Sequence, residues 1–306
     1  MNKVLIVILA ETRAHELTFD LFEQNFQKVL NSDIALCVGN NKNTVKNNNK
    51  FYENAKFIWE IEEPKIAENL YDEIAKKNNY GEEWKEILKN VKGLTFSKLF
   101  KQEARRGAVS FLYYFRWLLL QKIKENNLSE TYQWFIITRS DFMWKTPHPK
   151  CEYLDQDYIY SPDGEYGGGI TDRHMIIPSK YIEKALGILD YILKNSKDIF
   201  ISEQNLDKIL SIEQMLEFYF KKVQLYDKII RYPYNIYTVR TKNGPTSWST
   251  GKYYEDLGYC IKYIREYNLY LANSKYIKSQ EDWKKYFDTI KLRNNTLQII
   301  LKKIFL

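Results

Sequence analysis

The chain alternates between apolar runs of strand length and longer stretches with helical spacing. Val4 to Ala10 is continuous and β-branched, as a strand buried on both faces of a parallel sheet requires. "HELTFDLFEQNFQKVL" (15–30) follows, with Leu17, Leu21, Phe22, Phe26, Val29 and Leu30 on one helical stripe, and "DIALCVG" (33–39) reads as a second strand. Strand, helix, strand opens a βαβ unit and predicts an α/β fold with a mainly parallel sheet.

"FIWEI" (57–61) predicts a third strand, and "SFLYYFRWLLLQKIKENN" (110–127) a long helix leading into the run "WFIIT" (134–138). Residues 62–106 are charged and helical in pattern, which predicts a surface insertion. Two short apolar runs, "YIYS" and "HMIIP", precede the helices "SKYIEKALGILDYILKN" (179–195) and "EQNLDKILSIEQMLEFYFKKV" (203–223), and "YNIYTVR" (234–240) is a late strand. No internal repeat and no Pro- or Ser-rich linker divides the chain. The pattern predicts one α/β domain over 1–244 and a helical C-terminal extension over 245–306.

Composition narrows the partners. A net charge of +7 suits an anionic ligand or surface, but no lysine-arginine block interleaves with aromatics, so no nucleic-acid partner is expected. Cys37, Cys151 and Cys260 are too few and too far apart for a disulfide framework or a zinc site, which points to a reducing, cytoplasmic setting. The apolar run at Val4 is far short of the ~20 residues that span a bilayer. It breaks at once into Glu11-Thr12-Arg13, so it reads as a first strand rather than a signal-peptide core.

Candidate chemistry sits where strands end. In an open α/β sheet, ligands bind outside the carboxyl ends of the strands. The first strand ends Glu11-Thr12-Arg13 and the "FIIT" strand ends Arg139-Ser140-Asp141. Arginine offers a fork of donors to phosphate, and aspartate a hard oxygen to a divalent metal or a sugar hydroxyl. Such ends either solvate the strands or form a nucleoside diphosphate site. "SPDGEYGGGITDRHMI" carries Gly167, Gly168 and Gly169 just before Asp172 and Arg173; it is either a plain turn or a loop whose amides approach a ligand. It matches neither a dinucleotide fingerprint nor a P-loop. Glu213 falls on the apolar stripe of Leu206, Ile209, Leu210, Leu216 and Phe220, so it either pairs with a buried arginine or works at a site. His15, His148 and His174 have no Ser or Cys partner at recognisable spacing, which leaves nucleophilic hydrolase chemistry unsupported.

The ordered series "LAETRAH", "YYFRWLLLQKI", "ITRSDFMW", "GGGITDRHMIIPSKYIEKAL", "SIEQMLEFYF" and "YTVR" resembles the GT-A fold glycosyltransferases of bacterial capsule and lipopolysaccharide pathways. The resemblance spans about residues 3–244 and implies a Rossmann-like domain that transfers a sugar from a UDP-, GDP- or CDP-linked donor to a glycan or lipid-linked acceptor. It implies that Thr12, Arg13, Arg116, Arg139, Ser140, Asp141, Gly168 and Gly169 bind the nucleotide sugar. Glu213, and after it Asp172, would serve as the general base. Asp141 matches the metal-facing acid, for Mn²⁺ or Mg²⁺. The first acid of the family's metal motif is Arg139 here, and the last histidine is His174, so Arg139 is an alternative means of neutralising the diphosphate.

Two other classes fit parts of the sequence. A non-catalytic nucleotide-sugar or glycan-binding protein keeps the arginines but has no use for Glu213. A peripheral membrane assembly protein rests on "LRNNTLQIILKKIFL" (292–306), a cationic apolar segment that either packs on the domain or lies on an anionic membrane surface, at the inner face of the cytoplasmic membrane.

Overall fold

The computed structural model describes residues 3–40, 44–64, 68–85, 108–164, 168–196, 211–244 and 251–291. Its centre is a seven-stranded sheet in the order β3-β2-β1-β4-β7-β6-β8. The strands are β1 (Val4–Ala10), β2 (Asp33–Asn40), β3 (Phe57–Glu62), β4 (Trp134–Thr138), β6 (Ile159–Asp163), β7 (Met175–Pro178) and β8 (Ile229–Pro233). Only β7 runs against the rest; it is antiparallel to both β4 and β6. The expected α/β, Rossmann-like architecture with a mainly parallel central sheet is therefore present.

Helices cover both faces, which is why β1 and β2 read as unbroken apolar runs. Leu5, Val7, Leu9, Ala35 and Cys37 point to one layer, with the helices Ala108–Glu125, Ser179–Leu186 and Ile212–Lys222. Val4, Ile6, Ile8, Ile34, Leu36 and Val38 point to the other, against Phe19, Phe22 and Phe26 of the first helix. The period-two alternation of a strand has two apolar partners here rather than one.

A smaller sheet, β10-β11-β9-β5, lies beside the first. It joins β5 (Phe142–Met143), β9 (Tyr237–Arg240), β10 (Lys252–Tyr254) and β11 (Tyr259–Ile261), all antiparallel. Its first strand follows β4 after only Arg139, Ser140 and Asp141, so that short link crosses from one sheet to the other. Residues 251–291, expected to be helical throughout, form β10 and β11 before the helices Ile264–Asn273 and 280–291. Trp283 and Phe287 of the last helix are buried with Tyr160 and Tyr232.

Two predicted helices are shorter than their apolar spacing suggested. The run 179–195 divides at Gly187, where a side chain would meet the Tyr219 hydroxyl at 2.9 Å. The helix carrying Glu213 starts at Ile212, because Ser211 and Gln214 form a capping box. Leu206, Ile209 and Leu210, most of the predicted insertion, and the segment 292–306 lie outside the described residues. Among the described residues, no helix is long and apolar enough to cross a membrane. Cys37, Cys151 and Cys260 are all buried and free.

Candidate functional site

β1 and β4 are parallel neighbours, with Ile8 opposite Thr138. The chain leaves β1 towards β2 on one side and returns as β4 on the other, so the sheet's topological switch point lies between them. That is where open α/β sheets place ligands. The predicted meeting of Glu11-Thr12-Arg13 with Arg139-Ser140-Asp141 is what the structure holds. The Ser140 hydroxyl bridges the two ends, 3.1 Å from the Glu11 carbonyl and 3.0 Å from that of Arg13. Thr18 in turn donates to the Ser140 carbonyl at 2.6 Å. Ser140 is buried, and its hydroxyl ties the two loops together. Ala10 (φ 75°) and Ala14 (φ 50°) flank the first loop in left-handed conformations. Each costs an L-residue roughly 1–2 kcal/mol, strain of the kind that concentrates at functional sites.

A cleft of empty volume ≈ 630 Å³, part of it open to solvent, sits above this point. Thr12, Arg13, Gly39, Tyr52 and Arg240 are among its lining residues. The Thr12 hydroxyl accepts from Asn49 Nδ2 at 3.0 Å, and Arg13 pairs with Glu11.

Arg240 was not among the site residues the sequence suggested, although "YTVR" ends a strand in the same way as the others. It is 1% exposed, and only its Nη1 is engaged, by Asp141 and the Val239 carbonyl. Its Nε and Nη2 have no hydrogen-bond partner among the described residues. Nε carries one N–H and Nη2 two, so three donors of a buried guanidinium on the cleft wall are unmade among the described residues.

Asp141 is the hub beneath. Arg139 grips it bidentately, Nε to Oδ1 at 3.0 Å and Nη2 to Oδ2 at 2.8 Å, and Arg240 reaches Oδ2 as well. Burial would raise this carboxyl's pKa, but Arg139 and Arg240 hold it well below the usual carboxylate range. The expectation that Asp141 ligates Mn²⁺ or Mg²⁺ does not fit this donor set. Both oxygens are already occupied by guanidinium groups, and a divalent cation there would be repelled by them. No group of three or more His, Cys, Asp or Glu that could hold a metal occurs among the described residues.

A second part of the site lies along the glycine turn. Gly169 packs directly on the helix that starts at Ile212, and the Ile170 amide donates to the Glu213 carbonyl at 3.0 Å. Gly168 (φ 83°) faces the Gln214 side chain, and Gly167 lies outside the described residues. Glu213 therefore occupies the first turn of its helix, half-buried, rather than a turn well inside a longer one. Burial raises its pKa, and the neighbouring Asp172 charge raises it further. Arg116 is fully buried on its helix and donates through Nη2 to the Asp172 carbonyl at 3.1 Å; its Nε and Nη1 are without a hydrogen-bond partner among the described residues. Arg173 pairs with the buried Glu266, which also accepts from the Thr238 amide at 2.8 Å. Asp172 and Arg173 both act electrostatically on Arg139, which links this part to the cleft.

The two buried histidines serve the fold. His148 Nδ1 donates to the Pro149 carbonyl at 2.7 Å, which leaves its Nε2 to accept from His174 Nε2 at 3.4 Å. His174 Nδ1 then accepts from the Thr138 hydroxyl at 2.9 Å. Burial keeps both rings neutral, with His148 pushed down to about 3.

No family profile and no curated protein matches the chain. Among solved structures, it is similar to a glycosyltransferase involved in the glycosylation of the major capsid of PBCV-1. The identity is 11% and the TM-score 0.36, over 77% of this chain and 84% of that one. A likeness this distant leaves function to be argued from the site itself.

Proposed function

We propose that the protein is a glycosyltransferase. It would move a sugar from a UDP-, GDP- or CDP-linked donor to a hydroxyl of a glycan or lipid-linked acceptor, as in capsule or lipopolysaccharide assembly. The observation that carries the reading is Arg240, buried on the wall of a cleft at the switch point, with the donors on its Nε and Nη2 unmade among the described residues. An anion with several acceptor oxygens satisfies them, and a nucleoside diphosphate brings such oxygens to the carboxyl ends of the strands, where open α/β sheets bind ligands.

The chemistry then follows. The acceptor oxygen attacks the anomeric carbon, the bond from that carbon to the donor phosphate breaks, and the nucleoside diphosphate leaves with the electron pair. Arginines around the leaving group stabilise the charge that develops on it. The hydroxyl's proton needs a base, and Glu213, whose raised pKa brings it closer to neutrality, suits that task. Asp172 is the alternate base; Arg116 fixes the turn that carries it.

Turnover tests the proposal. Incubation with a panel of UDP-, GDP- and CDP-linked sugars should release free nucleotide from at least one, slowly by hydrolysis and faster once an acceptor is supplied. Release should be lost in Arg13→Ala. No release from any donor, with glycan and lipid-linked hydroxyl acceptors present, contradicts the assignment.

A further inference from the structure

The helix His15–Phe22 starts without a side-chain cap. The residue before it, Ala14, is left-handed, with φ 50° and ψ 27°. The leading amides of a helix have no partner within it. The Leu17 amide finds the Ala14 carbonyl at 3.0 Å, which leaves the amides of His15 and Glu16 at the helix start. A left-handed residue followed by right-handed ones turns successive amides to one side, the concave arrangement that holds anions. The positive end of the helix dipole acts in the same sense.

A helix start alone defines no site, and Arg240 supplies the second half. Ala14, His15, Glu16 and Arg240 all line the cleft. Arg240 is 1% exposed, and the donors it leaves open among the described residues are on Nε and Nη2. These two nitrogens make one edge of the guanidinium; with the same edge Arg139 takes both oxygens of Asp141. An open edge of this kind fits two oxygens of one oxyanion. Short links hold the two halves together. Arg240 Nη1 bonds to Asp141, the adjacent Ser140 donates to the Arg13 carbonyl at 3.0 Å, and Thr18 of the helix donates to the Ser140 carbonyl at 2.6 Å. Of the carboxylates on the cleft wall, Glu11 pairs with Arg13, and the Glu16 side chain is 52% exposed, so water screens it.

We propose that the amides of His15 and Glu16 and the open edge of Arg240 form one seat for a phosphate group. Only the nucleoside attached to that phosphate rests on the glycosyltransferase reading.

The test is a backbone-amide NMR titration of the isotope-labelled full chain with inorganic pyrophosphate and, separately, with UDP. The largest shifts should fall on the His15 and Glu16 amides and on the Arg240 Nε–H. Ala14→Asp places a carboxylate at the same helix start. Aspartate tolerates the left-handed region and suits a helix N-cap, so this variant should melt no lower than the parent. It should still weaken pyrophosphate binding by roughly tenfold or more, through repulsion and competition for the amides. Ala14→Asn, of the same shape without the charge, should weaken it less; equal losses count against the seat. Arg240→Lys keeps a cation beside Asp141 but loses the fork, and should also weaken binding by roughly tenfold. Shifts from UDP that leave His15 and Glu16 unmoved overturn the seat and leave the nucleotide reading standing. Shifts of these amides by pyrophosphate alone support the seat and count against a nucleoside diphosphate. Binding of neither anion, or unchanged pyrophosphate affinity in a folded Ala14→Asp, overturns the seat, and release of nucleotide from sugar donors then judges the transferase reading separately.

Discussion

A Cβ at position 169 would lie 2.1 Å from the carbonyl oxygen of Glu213, with the Glu213 carbonyl carbon and the Gln214 nitrogen almost as close. All three are backbone atoms, so nothing there yields cheaply. Gly169→Ala should separate the turn from the helix, cost about 1–3 kcal/mol of stability and displace Glu213. Gly168→Ala meets only the Gln214 side chain at 3.5 Å, and its cost is the positive φ, roughly 1–2 kcal/mol. Denaturation and turnover of both variants check this. Activity should fall well below that of Gly168→Ala only for Gly169→Ala, and equal activities contradict it.

Glu213→Gln should lower transfer by on the order of 10²–10⁴ with nucleotide binding intact. Its stability effect has a definite sign. A carboxyl whose folded pKa is raised binds its proton more tightly folded than unfolded, so its contribution falls as pH rises through that value. Removing the ionisable group should therefore leave the protein as stable or more stable at pH 7. Activity of the parent should drop as pH falls and the base becomes protonated. A destabilised Glu213→Gln with full activity marks the residue as structural.

Asp141→Asn tests the hub. It removes the charge that holds two buried or half-buried arginines together, and should cost about 3–5 kcal/mol in urea denaturation. If the carboxylate were instead a metal ligand, the variant would keep its stability and lose only metal-dependent binding.

The histidine chain predicts acid sensitivity. Both folded-state values lie below the unfolded reference of ~6.5, so the unfolded chain takes up protons first as pH falls. The stabilisation is full above about 6.5 and is lost below it, by about 1.4 kcal/mol per pH unit for each ring. Denaturation at pH 7 and pH 5 should show this fall. Equal stability at the two values contradicts it.

Much of this arrangement is written in local sequence. The apolar runs of β1, β2 and β4 and the polar triplets Glu11-Thr12-Arg13 and Arg139-Ser140-Asp141 locate the switch point, because each depends on neighbours along the chain. The placement of Arg240 beside Asp141 depends instead on β5, β9 and β11 pairing across long separations, which no local pattern reports. The late start of the Glu213 helix has a different cause. "SIEQ" is a legible capping box, but the apolar spacing upstream of it suggested a helix already under way.

The most direct test of the account is a melting experiment with UDP, GDP, CDP and the corresponding monophosphates. At 100 times its dissociation constant, a ligand of the native state should add about 2.7 kcal/mol. At least one nucleotide should raise the melting temperature, and Arg13→Ala should lose that shift, since Arg13 and Arg240 line the same cleft. If no nucleoside diphosphate or monophosphate stabilises the protein, the cleft is not a nucleotide-sugar site and the transferase assignment falls.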